Sequence, residues 1–365
     1  MPGPTRVALA LGSGGARGYA HIGVIDVLEE RGFEIASIAG SSMGSLVGGL
    51  HAAGKLAPYA EWARGLRQRD VVRLLDVSLS APGAIRAEKI LARVRELLAG
   101  ALIEDLPIPF TAVATDLLAR KEVWFQRGPV DVAIRASIAI PTVITPVVLN
   151  GRLLADGALT NPVPIAPTAS AQADVTVAVS VAADARDQVG VAPVRETAEP
   201  RPVEEWTERF RAGASQLFDR ESVRALLGRL GGGAGAGVPS GGASTGPSAG
   251  NRSGSRNGSR GVEGGRTGDG DGATDPFGAL PAGLGKLDMM NQSLDTMQSI
   301  LTRYRLAGYP PDVLISVPRD ACRSLEFHRA AEMIVLGRTL AAQALDGAGL
   351  VSGEPVPDAP RAAKD

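Results

Sequence analysis

The chain has 365 residues, 44% of them hydrophobic, and its 38 basic and 39 acidic side chains leave a net charge of −1. That aliphatic content excludes a wholly disordered protein, and the neutral balance without a clustered basic surface excludes counterion release as a route to nucleic acid, so no nucleic-acid partner is expected. A single cysteine, Cys322, excludes an internal disulfide, and with only three histidines beside it no structural zinc site is expected.

Short β-branched runs alternate with longer amphipathic ones along the first half. Arg6 to Leu11 reads as a buried strand, Gly18 to Arg31 as a helix, Ile35 to Ala39 as a second strand and Ser42 to Ala53 as a second helix. The early apolar run Val7 to Leu11 is too short for a signal peptide or a membrane span, so the expectation is a cytoplasmic protein, in peripheral contact with a membrane at most. A helix is expected over Arg86 to Leu98, and strands over Phe110 to Thr115, Glu122 to Phe125, Arg152 to Ala155, Asp174 to Val181 and Val313 to Val317. Further helices are expected over Val203 to Leu230, Leu287 to Arg305 and Ser324 to Leu345. This order implies a three-layer α/β/α domain with a mainly parallel central sheet.

Residues 231 to 275 hold 17 of the 46 glycines, mixed with Ser, Arg, Asn and Asp. The organisation expected is a catalytic core over 5–182, a helical extension over 183–230, a Gly/Ser-rich disordered insert over 231–281, a C-terminal strand and helices over 282–349 packing back on the core, and a disordered tail over 350–365.

Gly40-Ser41-Ser42-Met43-Gly44 lies between a predicted strand and a predicted helix. In a G-x-S-x-G elbow the serine sits on a sharp turn, small neighbours avoid clashes, and the following helix directs its dipole at the serine oxygen. The spacing selects Ser42, with the Met43 amide placed to donate to an oxyanion. An ordinary tight turn is the bland alternative. Gly12-Ser13-Gly14-Gly15-Ala16-Arg17-Gly18, after the first strand, is either a dinucleotide fingerprint or an oxyanion loop beside Ser42. The fingerprint needs an acidic residue at the end of the second strand, where this chain has Ala39-Gly40-Ser41, so the oxyanion loop accounts for both glycine clusters.

A serine nucleophile needs a base. His21 shares a helical face with Val24, Ile25 and Leu28 and reads as packed, and His51 lies roughly 13 Å along its helix from Ser42 at 1.5 Å per residue. His328 keeps open a Ser42-Asp156-His328 triad in α/β-hydrolase order, although Leu325 to Arg329 reads as mid-helix, where triad histidines are uncommon. Asp156, ahead of Gly157 and Ala158 at the end of an apolar strand, is the acidic candidate; Asp-Gly is also a common turn. Desolvation is what would make such a carboxylate basic enough.

Together these elements resemble the patatin-like phospholipases, in Ser13-Gly14-Gly15-Ala16-Arg17-Gly18, Gly40 to Gly44 and Asp156-Gly157-Ala158, with Gly18 to Val24, Ala136 to Pro141 and Asn161 to Pro164 also fitting. The resemblance covers roughly residues 5 to 182, with Ser13 standing where the family's loop has its first glycine. It implies a serine acyl hydrolase of phospholipids or lysophospholipids. The resemblance further implies Ser42 and Asp156 as its dyad, Gly14, Gly15 and Met43 as its oxyanion hole, and Arg17 as a brace of the loop or, alternatively, a partner for a substrate phosphate, with no metal and no cofactor. A nucleotide-binding or regulatory protein on the same scaffold is the alternative of a different class. The expected partner is a lipid ester, with peripheral membrane contact. Met289, Met290 and Met297, in the apolar stretch Leu284 to Leu306, are expected mainly in core packing, with the lining of an acyl pocket or contact with a bilayer as the alternatives, and Leu74 to Leu79, after Arg64, Arg67, Arg69 and Arg73, form either a membrane-facing cap or an ordinary solvated basic face.

Overall fold

The computed structural model describes residues 3–74, 88–140, 144–183 and 286–352. The expected helix at Val203 to Leu230, the insert, Leu75 to Leu79 and nearly all of the tail lie outside them.

The first half builds β1 (Arg6–Leu11), α1 (Ala20–Glu30), β2 (Glu34–Ser41), α2 (Met43–Ala52), α3 (Leu56–Arg64), α4 (Gln68–Leu74) and α5 (Glu88–Leu98). There follow β3 (Phe110–Asp116), β4 (Lys121–Phe125), α6 (Val130–Ser137), β5 (Val147–Leu149), β6 (Arg152–Asp156) and β7 (Val175–Ala183). The last described stretch gives α7 (Lys286–Gly308), β8 (Val313–Pro318) and α8 (Ala330–Gly347). Gly15–Tyr19 is a 3-10 turn, so the first helix begins two residues later than periodicity alone indicates.

The hydrogen-bonded path through the sheet runs β5-β6-β3-β2-β1-β7-β8, with β4 also paired to β3; β2 and β6 share one edge of β3 and β4 takes the other. Pairings β1–β2, β1–β7, β2–β3 and β7–β8 are parallel, and β4, β5 and β6 add antiparallel pairings at one side. The fold is therefore α/β with a mostly parallel central sheet and flanking helices. Leu9, Leu11, Val177 and Val179 are fully buried in the middle strands, as burial on both faces of a parallel sheet requires.

Three expectations change. Ser324 to Leu345 is not one helix: a 3-10 turn at Phe327–Arg329 precedes α8, so His328 lies in a turn. The capping geometry decides this, because the Glu326 carboxylate bonds the Arg323 amide and closes a local turn. Met289, Met290 and Met297 are exposed instead of packed in the core, because α7 turns that side away from the sheet. Finally, α3, α4, α6 and β5 are elements that the periodicity did not single out. Among the described residues no helix is long and apolar enough to cross a membrane, and no group of three metal-ligating side chains occurs.

The C-terminal helix docks by close backbone approach. A Cβ added at Gly337 of α8 would lie 2.0 Å from the Ala20 carbonyl oxygen, and one at Gly23 of α1 would lie 2.0 Å from that of Ile334. Gly347, by contrast, has nothing within 4 Å. Gly337→Ala is expected to lower the unfolding free energy by about 1–3 kcal/mol through forced separation of α1 and α8. Gly347→Ala should be neutral or raise it slightly through helix propensity; urea melts of both variants make the check.

Candidate active site

Ser42 occupies the single residue between β2 and α2, at φ 54° and ψ −122°. A non-glycine residue there costs about 1–3 kcal/mol, so the surroundings must hold it. The Ser42 amide donates to Ser137 Oγ at 2.9 Å, Ser137 Oγ donates to the Val113 carbonyl at 2.6 Å, and Ser45 Oγ donates to the Ser42 carbonyl at 2.7 Å. The flanking glycines are required by contact: a Cβ at Gly40 would stand 2.4 Å from the Gly44 carbonyl, and one at Gly44 would stand 2.1 Å from the Leu11 oxygen. Any larger residue at either position forces the turn open.

Asp156 ends β6 and is held at every polar atom. Its amide donates to the Ala139 carbonyl at 2.9 Å, its carbonyl accepts from Thr115 Oγ1 at 2.8 Å, and Oδ1 accepts from the Ala158 amide at 2.8 Å. That leaves Oδ2, which accepts from Ser42 Oγ at 2.6 Å. Gly157 is needed because a Cβ there would meet the Val113 oxygen at 2.1 Å. Burial pushes the Asp156 carboxyl up to about 6, against the lowering pull of its bonds from Ser42 and Ala158. A carboxylate of this basicity, bonded directly to a serine hydroxyl, is equipped to take its proton.

The glycine loop lies across the same site. Ser13 spends its amide on the Pro162 carbonyl at 2.9 Å and Ala16 on the Ser324 carbonyl at 2.9 Å. The amides of Gly14, Gly15 and Met43 have no hydrogen-bond partner among the described residues, and all three residues line one cavity with Ser42 and Asp156. Gly18 lets Met43 pack against the loop: a Cβ there would fall 2.4 Å from Met43 Cγ. Arg17 braces the loop from below. Its buried guanidinium donates to the Gly14 carbonyl at 3.3 Å, the Arg319 carbonyl at 3.1 Å and Ser324 Oγ at 3.1 Å. Ser137 and Ser324 also shape the site: Ser137 stands within Ala136 to Pro141, a segment that fits the resemblance but carries no implied role, and Ser324 carries no local signal.

The histidines stand elsewhere. His21 is fully buried, with Nε2 2.7 Å from the Gly12 carbonyl, and burial lowers its pKa to about 4, which keeps it neutral. His51 faces Glu29 at the far end of α2. His328 is not among the residues lining the Ser42 cavity. The cavity, about 240 Å³, is walled mainly by apolar side chains, among them Tyr19, Leu46, Tyr59, Ile138, Leu294 and Phe327. The arrangement offers a buried hydroxyl with a carboxylate partner, open amides for a developing negative charge, and an apolar chamber for a hydrocarbon chain.

A family model described as patatin-like phospholipase matches residues 9–169. An NTE family protein of Mycobacterium tuberculosis is 55% identical over 341 residues, covering 93% of this chain and 91% of its own. The patatin-like phospholipase domain-containing protein 6 of Mus musculus is 30% identical over 182 residues, covering 48% of this chain and 13% of its own. Among solved structures, VipD from Legionella pneumophila aligns at a TM-score of 0.39 and 13% identity over 95% of this chain and 67% of that one, too distant to carry an argument. With a relative matched along nearly its whole length, and a family match that spans both Ser42 and Asp156, the chain belongs to the patatin-like phospholipase family.

Proposed function

We propose that the protein is a serine acyl hydrolase that cleaves carboxylic ester bonds of phospholipids or lysophospholipids through Ser42 and Asp156. The 2.6 Å bond from Ser42 Oγ to Asp156 Oδ2, at an apolar cavity with open amides, carries this reading. Family membership supports lipid hydrolysis in general; the dyad and the substrate are the further step.

Asp156 Oδ2 takes the hydroxyl proton as Ser42 Oγ attacks the ester carbonyl carbon, whose π electrons move to oxygen. The amides of Gly14, Gly15 and Met43 receive that oxyanion, with the N-terminus of α2 adding its dipole. Collapse breaks the bond to the alcohol, which leaves with the proton from Asp156. Water then gives a proton to Asp156 and its oxygen to the acyl carbon, and the same amides serve again before Ser42 is released with its proton restored.

A fluorophosphonate probe is expected to label the parent and leave Ser42→Ala unlabelled, with ester turnover falling by about three orders of magnitude or more. Equal labelling of the two would overturn the assignment of Ser42. His328→Ala should retain turnover, whereas a His328 triad requires its loss.

The acid limb of kcat/KM should rise with pH and level off above an apparent pKa near 6, because the base must be ionised. The same shift costs stability. A carboxyl whose folded pKa is raised loses its stabilising contribution as pH climbs through about 6, a penalty of about 3 kcal/mol at pH 8. Asp156→Asn should therefore lose activity yet gain stability relative to the parent as pH rises from 4 to 8, read by denaturation at each pH.

Arg17→Lys keeps a charge but cannot reach three acceptors in a planar fork. We expect kcat to fall about tenfold with KM nearly unchanged, as for a loop slightly misplaced relative to the oxyanion.

A further inference from the structure

We propose that the exposed apolar side of α7, with the arginine-rich stretch from Arg64 to Arg73, docks the protein on an anionic lipid bilayer, with the Ser42 cavity opening between them. The proposal rests on the acyl hydrolase reading and names the surface from which its substrate is drawn.

Helix α7 has three sectors. Thr302 is buried and Leu306 packs on the cluster of Ala10, Val163, Ile165 and Ala178, which anchors the helix to the body. Leu294 and Gln298 line the Ser42 cavity. Beside Leu294, at about 100° per residue, Met289, Met290, Met297, Ile300 and Tyr304 fall in one arc of about 100°. Their exposures include 52% at Met297, 47% at Ile300 and 73% at Tyr304. Ser293 is the one polar side chain in the middle of this arc, and its hydroxyl donates back to the Met289 carbonyl at 2.8 Å; an arc otherwise apolar on solvent is unusual for a folded chain and marks a contact surface. Here it borders the cavity wall on the same helix, so a hydrocarbon chain leaving a bilayer would pass from one apolar surface to the next.

A second surface, reached through the turn at Phe327–Arg329, supplies charge. The turn at Phe327–Arg329 packs against α4, and Phe327 lines the cavity. Leu325, just before that turn, also lines the cavity and is 41% exposed. Arg64, Arg67, Arg69 and Arg73, in and around α3 and α4, are all exposed; Asp70 stands 4.0 Å from Arg69 as a weak local counter-charge. Arginines beside exposed apolar side chains, with Tyr304 able to place its ring in the apolar layer and its hydroxyl among head groups, match the chemistry of an anionic membrane interface.

The test uses the full chain, vesicles of phosphatidylcholine with or without phosphatidylglycerol, and a soluble short-chain ester. The double variant Met297→Asp/Ile300→Asp changes exposed residues outside the cavity lining. It should turn over the soluble ester like the parent while losing vesicle flotation and vesicle phospholipid hydrolysis by about tenfold or more. Arg67→Glu/Arg69→Glu should weaken binding to phosphatidylglycerol vesicles and leave the weaker binding to pure phosphatidylcholine unchanged. Unaltered vesicle binding by the apolar double variant overturns the proposal, as does a parent that binds neither vesicle. So does a parent dimer that the double variant dissociates without any vesicle binding, which would make the arc an interface between copies. If the parent floats with vesicles but hydrolyses neither substrate, docking stands and the hydrolase reading fails.

Discussion

Strand β3 brings the carboxyl ends of two strands together, and the site depends on that meeting. Ser41 of β2 pairs with Val113, and Asp156 of β6 pairs with the next residue, Ala114. Strand β4 pairs with Ala112 to Asp116 and so occupies the other edge of β3, which places β2 and β6 on the same edge. One runs parallel to β3 and the other antiparallel, so their carboxyl ends converge. The serine follows one end and the aspartate closes the other; the register sets the two ends side by side, and the positive-φ turn at Ser42 completes the approach to 2.6 Å. A slip of one residue in either pairing would turn the side chains to the opposite face.

That junction is also where the fold accepts local cost. Ser42 is held at positive φ by Ser137 and Ser45, and Asp156 is held where burial disfavours its charge. Strain and desolvation of this kind persist only if the surroundings overdetermine them. Here the surroundings are fully buried strands, the glycines at 40, 44 and 157 that admit backbone at contact distance, and a hydrogen bond for each polar atom of Asp156. The proposed reactivity of the pair and the local destabilisation share one physical cause.

The glycine loop is completed from far along the chain. Arg17 and Ala16 are bonded by Arg319 and Ser324, which follow β8 and lie beyond the 9–169 span of the family match. A Cβ at Gly15 would lie 2.4 Å from the Ser324 carbonyl, so the two segments are in direct backbone contact. The segment that carries α7, β8 and α8 thus shapes the loop, walls the cavity through Leu294 and Phe327, and caps α1 through Gly337.

Much of this was legible in the sequence, because it is local. Period and turn chemistry marked β1, β2 and α2, and the three glycine-bearing motifs marked Ser42, Asp156 and the loop amides, since only small residues tolerate those backbone approaches. The three histidines, of which His21 and His51 are ill placed by local pattern, favoured a carboxylate as the base. What local pattern does not carry is which distant backbone lies against a residue. The register on β3, the support of Ser42 by Ser137, the clamp on Arg17 by Arg319 and Ser324, and the turn that replaces helix at His328 were decided only by tertiary packing. The same holds for the methionines of α7: periodicity marks an apolar side of a helix, but whether that side meets a core or solvent depends on what the rest of the chain places beside it.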